Sequence, residues 1–451
     1  MEIYDLIVIG GGSGGLATAR RASSHGKRVA LVEHDRLGGT CVNRGCVPKK
    51  LWHDTAAIVG ALHEARHMGF AVQASPPSWA SIRERIDRYI ENLNGIYARN
   101  LENDRVTRVQ GQARFIDPHT VVAGSHHLQA QHIVIATGAR PKSPPIEGGH
   151  LALVSDDFFR LTELPSRCLI IGGGYIGMEF AGILSSFGSK VTLVETLDRV
   201  LAPFDHEISS HAHALYERLG IDVHVRTSVK RIEASHDGFS TSIQSGDGSV
   251  NQKSFDVVLS AVGRAPNVEN LGLDSAGVQL DDRGFIRVND EERTSAPHIY
   301  AVGDVTGRPA LTPVAIKAGR RLADRLYTAS TEKMRYDTIP TAVFTPVEIG
   351  VVGLTEAQAI DRFGSESVKV YRAEFKPMRK ALMPDSPVRA FVKMVVAHRE
   401  EKVVGLHLIG PEAAEIIQGF SVAITAGLTK KQFDDTLAIH PSLAEEAVTL
   451  R

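Results

Sequence analysis

Long apolar runs and cysteines are both scarce in this chain of 451 residues. No apolar run approaches the ~20 residues that a membrane helix needs. The chain does not begin with a basic stretch and an apolar run, as a signal peptide would. Three cysteines cannot build a disulfide framework in a chain of this length. A formal net charge of −1 gives no reason to expect nucleic acid or a membrane as a partner. We therefore expect a cytoplasmic protein.

The remaining composition is typical of a folded protein with several domains. Hydrophobic residues make up 43% and charged residues 23% of the chain, which is the balance of soluble globular proteins. A chain of this length exceeds one ordinary core, so we expect roughly two to four domains. Glycine is abundant, with 41 residues, and many of these lie in turns of the kind that bind phosphate.

A glycine-rich turn follows the first apolar segment. Residues 5–9 form a short apolar run, Gly10 begins the turn, and a helical pattern and a second apolar run follow, which ends at Glu33. This order predicts the βαβ unit that binds a dinucleotide. In such a unit the glycines leave room for the pyrophosphate, and backbone N–H groups at the start of the helix bind it. The carboxylate accepts hydrogen bonds from the ribose hydroxyls. The candidate cofactor contacts are Gly10, Gly12, Ser13, Gly14, Gly15 and Glu33.

The same unit returns in the middle of the chain. An apolar run leads to Gly172, and the next apolar run ends at Glu195, so an acid lies 23 residues after the first glycine in both copies. One glycine motif is a weak signal, but two copies in the same strand–helix–strand context are a strong one. Two dinucleotides on one chain indicate a flavin and a nicotinamide. The candidate contacts of the second copy are Gly172, Gly174, Tyr175, Ile176, Gly177 and Glu195.

Three more apolar strands end in glycine turns. One ends at Thr137 and Gly138, and another at Gly263 and Arg264. We expect the first to close the leading flavin segment and the second to close the inserted nicotinamide domain. The third ends at Asp304, whose carboxylate could bond the flavin's ribityl chain or simply cap the next helix.

A pair of cysteines, Cys41 and Cys46, follows the first unit. A disulfide needs Cα atoms within about 7 Å, whereas residues five apart on a regular helix are about 8.6 Å apart. The pair therefore requires a distorted backbone, which Gly45 permits. Zinc would need further close ligands, so we expect a redox pair and no metal site. The alternative is two buried thiols in a helix; Cys168 is interpreted as a core residue.

In this order of motifs the chain resembles the class I pyridine nucleotide-disulfide oxidoreductases, over essentially its whole length. Within that class it is most similar to the glutathione reductases, whose Val-Pro-Lys-Lys continuation stands at residues 47–50. The resemblance implies that Cys46 faces the flavin and that Cys41 attacks the substrate. It also implies that Lys49 and Glu179 form a pair beside the flavin ring and that Tyr175 covers the nicotinamide pocket. Further flavin contacts are expected at Gly39, Thr40 and Thr312.

His440 and Glu445 match the acid–base residue and the carboxylate that orients it. In the family they reach the active site from the other subunit, so the resemblance implies a homodimer. The pattern is chemically reasonable, because a leaving thiolate needs a proton and an imidazole titrates in the right range. Without the cysteine pair, His440 would be read as a surface residue.

Several residues of this chain match those that bind the substrate in the glutathione reductases. Glutathione disulfide is net anionic, and Arg20 and Arg320 match the arginines that bind it in the glutathione reductases. Tyr97, with Ile96 and Asn100, matches the segment that inserts between the two halves of the disulfide. Taken alone, each arginine would be interpreted as a solvated helix residue.

The second nucleotide motif departs from that of NADPH-dependent relatives. Where those carry cations for the 2′-phosphate, this chain has Thr196, Leu197 and Ala202. Glu195 would repel a phosphate and accept from a free ribose hydroxyl, and Arg199 is the only cation close by in the sequence. We therefore predict FAD and a preference for NADH, with NADPH as the alternative electron donor, and leave room for an amidated glutathione as substrate.

The sequence thus predicts an α/β fold with two Rossmann-like dinucleotide-binding domains and a C-terminal α+β dimerisation domain. The expected enzyme reduces glutathione disulfide and maintains thiol redox state; the alternatives are dihydrolipoamide dehydrogenase and a nicotinamide-binding sensor without turnover. The expected domains are the first part of the FAD-binding domain over 1–143, an NAD(P)-binding domain over 144–268, a central domain completing the FAD site over 269–334, and a dimerisation domain over 335–451.

Overall fold

The protein is described by a computed structural model over residues 1–73 and 78–451. The strands are β1 Glu2–Ile9, β2 Val29–Glu33, β3 Thr107–Gln110, β4 Ala113–Asp117, β5 Thr120–Ala123, β6 His126–Ile135, β7 Ala139–Pro141, β8 Leu153–Val154, β9 Arg167–Ile171, β10 Lys190–Val194, β11 Asp222–His224, β12 Ser228–Ser235, β13 Gly238–Gln244, β14 Val250–Phe255, β15 Val257–Ser260, β16 Arg264–Pro266, β17 Ile299–Ala301, β18 Thr341–Val343, β19 Ile349–Gly353, β20 Val368–Phe375, β21 Ala390–Ala397 and β22 Lys402–Ile409.

The helices alternate with single strands around the two glycine turns. They are α1 Ser13–Ser24, α2 Gly39–Arg44, α3 Cys46–His67, α4 Trp79–Asn103, α5 Ser155–Phe158, α6 Tyr175–Ser186, α7 His206–Arg218, α8 Leu273–Ala276, α9 Thr312–Tyr327, α10 Glu356–Phe363, α11 Ala413–Ala426, α12 Lys430–Asp434 and α13 Glu446–Thr449. Within the described residues, none of these helices is both long and apolar enough to cross a membrane.

The chain forms two compact units. The first consists of Met1–Lys49, Ala80–Lys142 and Gly263–Tyr336, and the second of Lys50–Trp79, Ser143–Val262 and Asp337–Arg451. The expected domain bounds stay predictions, and the chain returns to the first unit at Gly263. The physical reason is that β16 pairs antiparallel with β7, which keeps both strands in the first unit.

The first unit is built on a seven-stranded sheet. Its order is β3-β2-β1-β6-β5-β4, and β17 also pairs with β6. The pairings of β1 with β2 and β6 are parallel. Leu6, Ile7 and Val8 on β1 are fully buried, as expected of a parallel strand covered on both faces.

Helices α1 and α9 pack on one face of this sheet and meet at a glycine. A Cβ added at Gly319 would lie 2.7 Å from the carbonyl oxygen of Gly14, so the close approach requires a residue without a side chain. This packing fixes the position of α9, whose first residue is Thr312. Thr312 consequently reaches the cysteine pair, as described below.

The second unit holds three sheets. The first is a five-stranded sheet of order β11-β10-β9-β15-β8, the second joins β12, β13 and β14, and the third is a five-stranded sheet of order β18-β19-β22-β21-β20. Pairings in the first sheet are parallel, and those in the third are antiparallel. Strand β9, its glycine turn and helix α6 repeat the arrangement of β1 and α1. The predicted α/β fold class is confirmed.

Candidate redox and dinucleotide sites

The cysteine pair lies where two helices meet. Helix α2 ends at Arg44, Gly45 has φ −152° and ψ −118°, and α3 begins at Cys46. A Cβ at Gly45 would lie 2.9 Å from the carbonyl oxygen of Thr40, so the break needs glycine. This is the backbone distortion that the five-residue spacing requires, and it brings the Cys41 and Cys46 thiols within hydrogen-bond contact.

The two thiols differ in acidity. The hydrogen bond from Cys41 lowers the pKa of Cys46 to about 6, with help from Thr312, the charge of Lys49 and the backbone N–H of Cys46 itself. The Thr312 hydroxyl lies 3.6 Å from the Cys46 sulfur. The same hydrogen bond, together with burial, raises the pKa of the Cys41 thiol, although Thr312 and Ser13 oppose that rise. Near neutral pH the reduced pair therefore holds its negative charge on Cys46 and its proton on Cys41.

Backbone contacts join the redox segment to the first glycine turn. The N–H of Gly38 donates to the carbonyl of Gly11 at 2.8 Å, and a Cβ at Gly39 would lie 2.7 Å from the Cα of Gly12. Gly39 also has a φ of +58°, a conformation that glycine adopts without strain. Thr40 follows directly on α2. The cysteine pair is thus held beside the turn that the sequence assigned to the flavin.

The first glycine turn fits a pyrophosphate. Gly10 has a φ of +106°, and a Cβ there would collide with the carbonyl of Ala136. Gly12 caps α1 without a side-chain hydrogen bond, so the backbone N–H groups of the first turn, including those of Ser13 and Gly14, lack a side-chain cap and suit an anion. Gly15 lets the helix pack against the turn, because a Cβ there would meet the carbonyl of Gly10.

The second glycine turn repeats this geometry. Gly172 has a φ of +111°, and a Cβ there would lie 2.6 Å from the carbonyl of Ala261. Gly174 caps α6, again without a side-chain hydrogen bond. A Cβ at Gly177 would collide with the carbonyl of Gly172, so alanine at this position would require the turn to move. Tyr175 begins α6 and is 43% exposed, and Ile176 follows it, half-buried.

The two acids after these turns occupy equivalent positions. Glu33 accepts from the N–H of Gly11 at 2.6 Å and from that of Asp35 at 2.7 Å. Glu195 accepts from the N–H of Gly173 at 2.7 Å and from that of Leu197 at 2.8 Å. Each carboxylate is therefore fixed at the end of its strand as a hydrogen-bond acceptor, which is the arrangement that recognises ribose hydroxyls.

The structure places an arginine, Arg226, near Glu195, although the two residues are distant in the sequence. The N–H of Arg226 donates to the carbonyl of Leu197 at 2.8 Å, so Arg226 stands at the same strand end as Glu195. Sequence proximity had suggested Arg199 alone. Arg199 itself lies 3.4 Å from Asp198 and donates to the carbonyl of Ala202 at 2.9 Å.

The remaining flavin candidates lie in the first unit. The Thr137 hydroxyl donates to the carbonyl of Asn267 at 2.7 Å, and Gly138 and Gly263 both have positive φ. Arg264 lies 4.0 Å from the carboxylate of Asp304. Burial nevertheless raises the pKa of Asp304.

Glu179 is buried at 3% exposure on α6 in the second unit. Its carboxylate accepts from the N–H of Phe344 at 2.9 Å. Lys49 belongs to the first unit, where its charge acts on Cys46. The expected pairing of Lys49 with Glu179 stays a prediction.

Three substrate candidates lie on α4, where Tyr97 is half-buried between Ile96 and Asn100 in the sequence. Burial and the charge of Cys41 raise the pKa of Tyr97, and the charge of Arg20 opposes that rise. Tyr97 therefore lies close to both the attacking thiol and Arg20. Arg320 is exposed on α9.

The acid–base pair lies in the C-terminal segment. His440 Nδ1 lies 3.0 Å from a carboxylate oxygen of Glu445, and this contact lowers the pKa of Glu445. The imidazole is 79% exposed, and its neighbours Leu437 and Ile439 are 94% and 79% exposed. A histidine oriented by a carboxylate among exposed apolar side chains suits a residue that acts at a subunit interface.

Comparisons with known proteins agree with this geometry. A family model described as pyridine nucleotide-disulphide oxidoreductase matches residues 4–319, and the dimerisation domain of the same family matches residues 339–451. A glutathione reductase from Burkholderia cepacia is 43% identical over 448 residues, which cover 99% of this chain and 98% of the relative. Glutathione reductases from Yarrowia lipolytica and Schizosaccharomyces pombe are 40% and 41% identical, each over at least 99% of both chains.

Proposed function

Because the chain belongs to the pyridine nucleotide-disulphide oxidoreductases, we propose that it reduces glutathione disulfide through FAD and the Cys41–Cys46 pair, with NADH as the preferred electron donor. The observation that carries this proposal is the break at Gly45 that brings the Cys41 and Cys46 thiols together beside the first glycine turn, with the pKa of Cys46 lowered and that of Cys41 raised. The family and the glutathione reductase relatives support a flavoprotein that acts on this disulfide as a homodimer.

The residues that would hold FAD are those of the first glycine turn, Glu33 and the Asp304 region. Bound FAD supplies the passage of two electrons from the nicotinamide to the Cys41–Cys46 disulfide. The uncapped N–H groups at the start of α1 would bind the pyrophosphate, and the Glu33 carboxylate would accept from ribose hydroxyls. The role of these residues is to bind and orient the cofactor beside the thiols.

The thiol chemistry follows from the protonation of the reduced pair. His440 of the partner subunit takes the proton of Cys41, whose thiolate attacks one sulfur of the substrate disulfide. The protonated imidazole then returns that proton to the leaving thiolate, which departs as a thiol. Cys46, already a thiolate, attacks the Cys41 sulfur, restores the disulfide and releases the second half of the substrate as a thiolate, which takes a proton from water. Each cycle thus consumes one substrate disulfide and forms two thiols.

The preference for NADH rests on the second acid. Glu195 is held by two backbone N–H groups, where its carboxylate favours a free ribose hydroxyl over a 2′-phosphate. Thr196 and Leu197 supply no cation at this strand end, and Arg226, whose backbone lies there, is the cation that would oppose this preference. Arg199 is engaged with Asp198 and the carbonyl of Ala202.

Steady-state kinetics with purified FAD-loaded enzyme tests the proposal. NADH and NADPH are each crossed with glutathione disulfide, its amidated form and lipoamide. We expect the highest kcat/KM for NADH with a glutathione-type disulfide. A higher kcat/KM with NADPH would contradict the proposed preference for NADH. A higher kcat/KM with lipoamide would favour the alternative, dihydrolipoamide dehydrogenase, which Glu195 also fits. A yellow protein without disulfide-dependent oxidation of either cofactor would favour a sensor.

A further inference from the structure

Arg20, a candidate substrate residue, is paired with an acid of its own chain. Its Nε–H donates to the carboxylate of Asp104, and the two side chains are 41% and 33% exposed. These residues are 84 positions apart in the sequence, and no motif links them. The partner is therefore visible only in the folded chain.

Asp104 is held in place by its backbone. Its N–H donates to the carbonyl of Asn100 at 3.0 Å, and its carbonyl accepts from the hydroxyl of Ser23. Ser23 stands on α1 with Arg20, and Asn100 stands on α4 with Tyr97. The carboxylate is thus fixed between the two helices that carry substrate candidates.

The pair also lies close to the attacking thiol. The Tyr97 hydroxyl responds to the charges of both Cys41 and Arg20, which requires the three groups to be near one another. An anionic substrate bound at Cys41 would therefore experience Arg20 and Asp104 together. The bond to Asp104 uses the Nε–H of Arg20, and the Arg20 side chain is 41% exposed.

We infer that Asp104 is a specificity-determining residue, which moderates the positive charge of Arg20 and so lowers the preference for the most anionic disulfide. The inference rests on the proposed function, since it assumes that a glutathione-type disulfide binds at Arg20. A carboxylate behind an arginine has two opposed effects: it orients the guanidinium, and it repels an incoming carboxylate. The two effects can be separated by substitution.

Asp104→Asn keeps a side-chain oxygen that accepts the Arg20 Nε–H but removes the negative charge. We expect kcat/KM for glutathione disulfide to rise about threefold, mainly through KM. A threefold change corresponds to the repulsion energy between the Asp104 carboxylate and a substrate carboxylate roughly 6 Å away at a solvated site. The gain should shrink as ionic strength increases. Asp104→Leu removes the tether as well, so its KM should exceed that of Asp104→Asn.

The matched control is Asp324→Asn. Asp324 accepts from Arg21 at 2.5 Å and lies 2.7 Å from the imidazole of His25. This substitution removes the same charge from the neighbouring arginine of α1, away from the thiols. It should leave kcat/KM for glutathione disulfide unchanged.

The discriminating readout is the ratio of kcat/KM for glutathione disulfide to kcat/KM for its form with amidated glycine carboxylates. We expect Asp104→Asn to raise this ratio, because the amidated substrate has fewer carboxylates to be repelled. An unchanged ratio, or an equal gain in Asp324→Asn, would overturn the inference. If the unsubstituted enzyme turned over neither substrate, the proposed function itself would have failed, which is a different result.

Discussion

The acidity of Cys46 depends first on its hydrogen bond with Cys41, so replacing Cys41 should change it in a predictable direction. A hydrogen bond to a charged group contributes about 1.5–3 kcal/mol, and each pKa unit corresponds to about 1.4 kcal/mol. Cys41→Ala should therefore raise the pKa of Cys46 from about 6 by roughly 1–2 units. Cys41→Ser retains an O–H donor and should leave the pKa of Cys46 closer to its original value.

The assay is a pH titration of the thiolate's ultraviolet absorbance in the reduced FAD-loaded enzyme. The chain has three cysteines, and Cys168 is fully buried with a raised pKa, so it contributes no thiolate near neutral pH. In Cys41→Ala the titration therefore reports Cys46 alone. The thiolate should be present above the pKa and disappear as the pH falls through it. Equal midpoints in Cys41→Ala and Cys41→Ser would refute the hydrogen-bond explanation.

Three further substitutions test other parts of the structure. Lys393→Met should lower the free energy of unfolding by about 3–5 kcal/mol, because it leaves the buried carboxylate of Asp205 without its cation, whereas Glu207 and Glu356 keep Arg372. Denaturation measures this, with the exposed-pair control Lys369→Met expected to cost at most about 1 kcal/mol. Gly45→Ala should slow disulfide reduction but not flavin reduction by NADH in stopped-flow traces, since its Cβ would meet the carbonyl of Thr40; equal slowing of both steps would contradict it. Thr196→Arg should lower KM for NADPH about tenfold, because the new guanidinium would pair with the 2′-phosphate; KM for NADH is the control. An unchanged KM for NADPH would show that this strand end does not contact the 2′ position of the ribose.

The local features of the fold were predictable because short segments determine them. Each glycine turn depends on residues that follow one another in the chain, and the positive φ of Gly10 and Gly172 is a property only glycine adopts without strain. The break at Gly45 was also predictable, because the spacing of the two cysteines is incompatible with a regular helix.

The long-range pairs could not be predicted in the same way. Lys393 lies in a strand that is otherwise apolar and fully buried, and its carboxylate partners Asp205, Glu207 and Glu356 come from distant parts of the chain. The pairing of Arg20 with Asp104 likewise depends on how α1 meets the end of α4. Sequence patterns report the face that a residue occupies, but not which distant residue meets it there.

The boundary of the nicotinamide segment illustrates an intermediate case. The apolar strand β15 and the turn at Gly263 were evident from the sequence, but the pairing of β16 with β7 was not. Short strands of three residues carry too little pattern to assign a partner. The pairing of β16 with β7 accompanies the return of the chain to the first unit at Gly263.

In the proposed reaction, electrons from NADH reach glutathione disulfide through Cys41 and Cys46. The most direct measurement is the anaerobic stoichiometry of thiol formation per NADH oxidised, in the unsubstituted FAD-loaded homodimer and in Cys46→Ser. The unsubstituted enzyme should form two thiols for each NADH, and Cys46→Ser should form none catalytically while still binding FAD. NADH oxidation without thiol formation, or undiminished turnover in Cys46→Ser, would contradict the account.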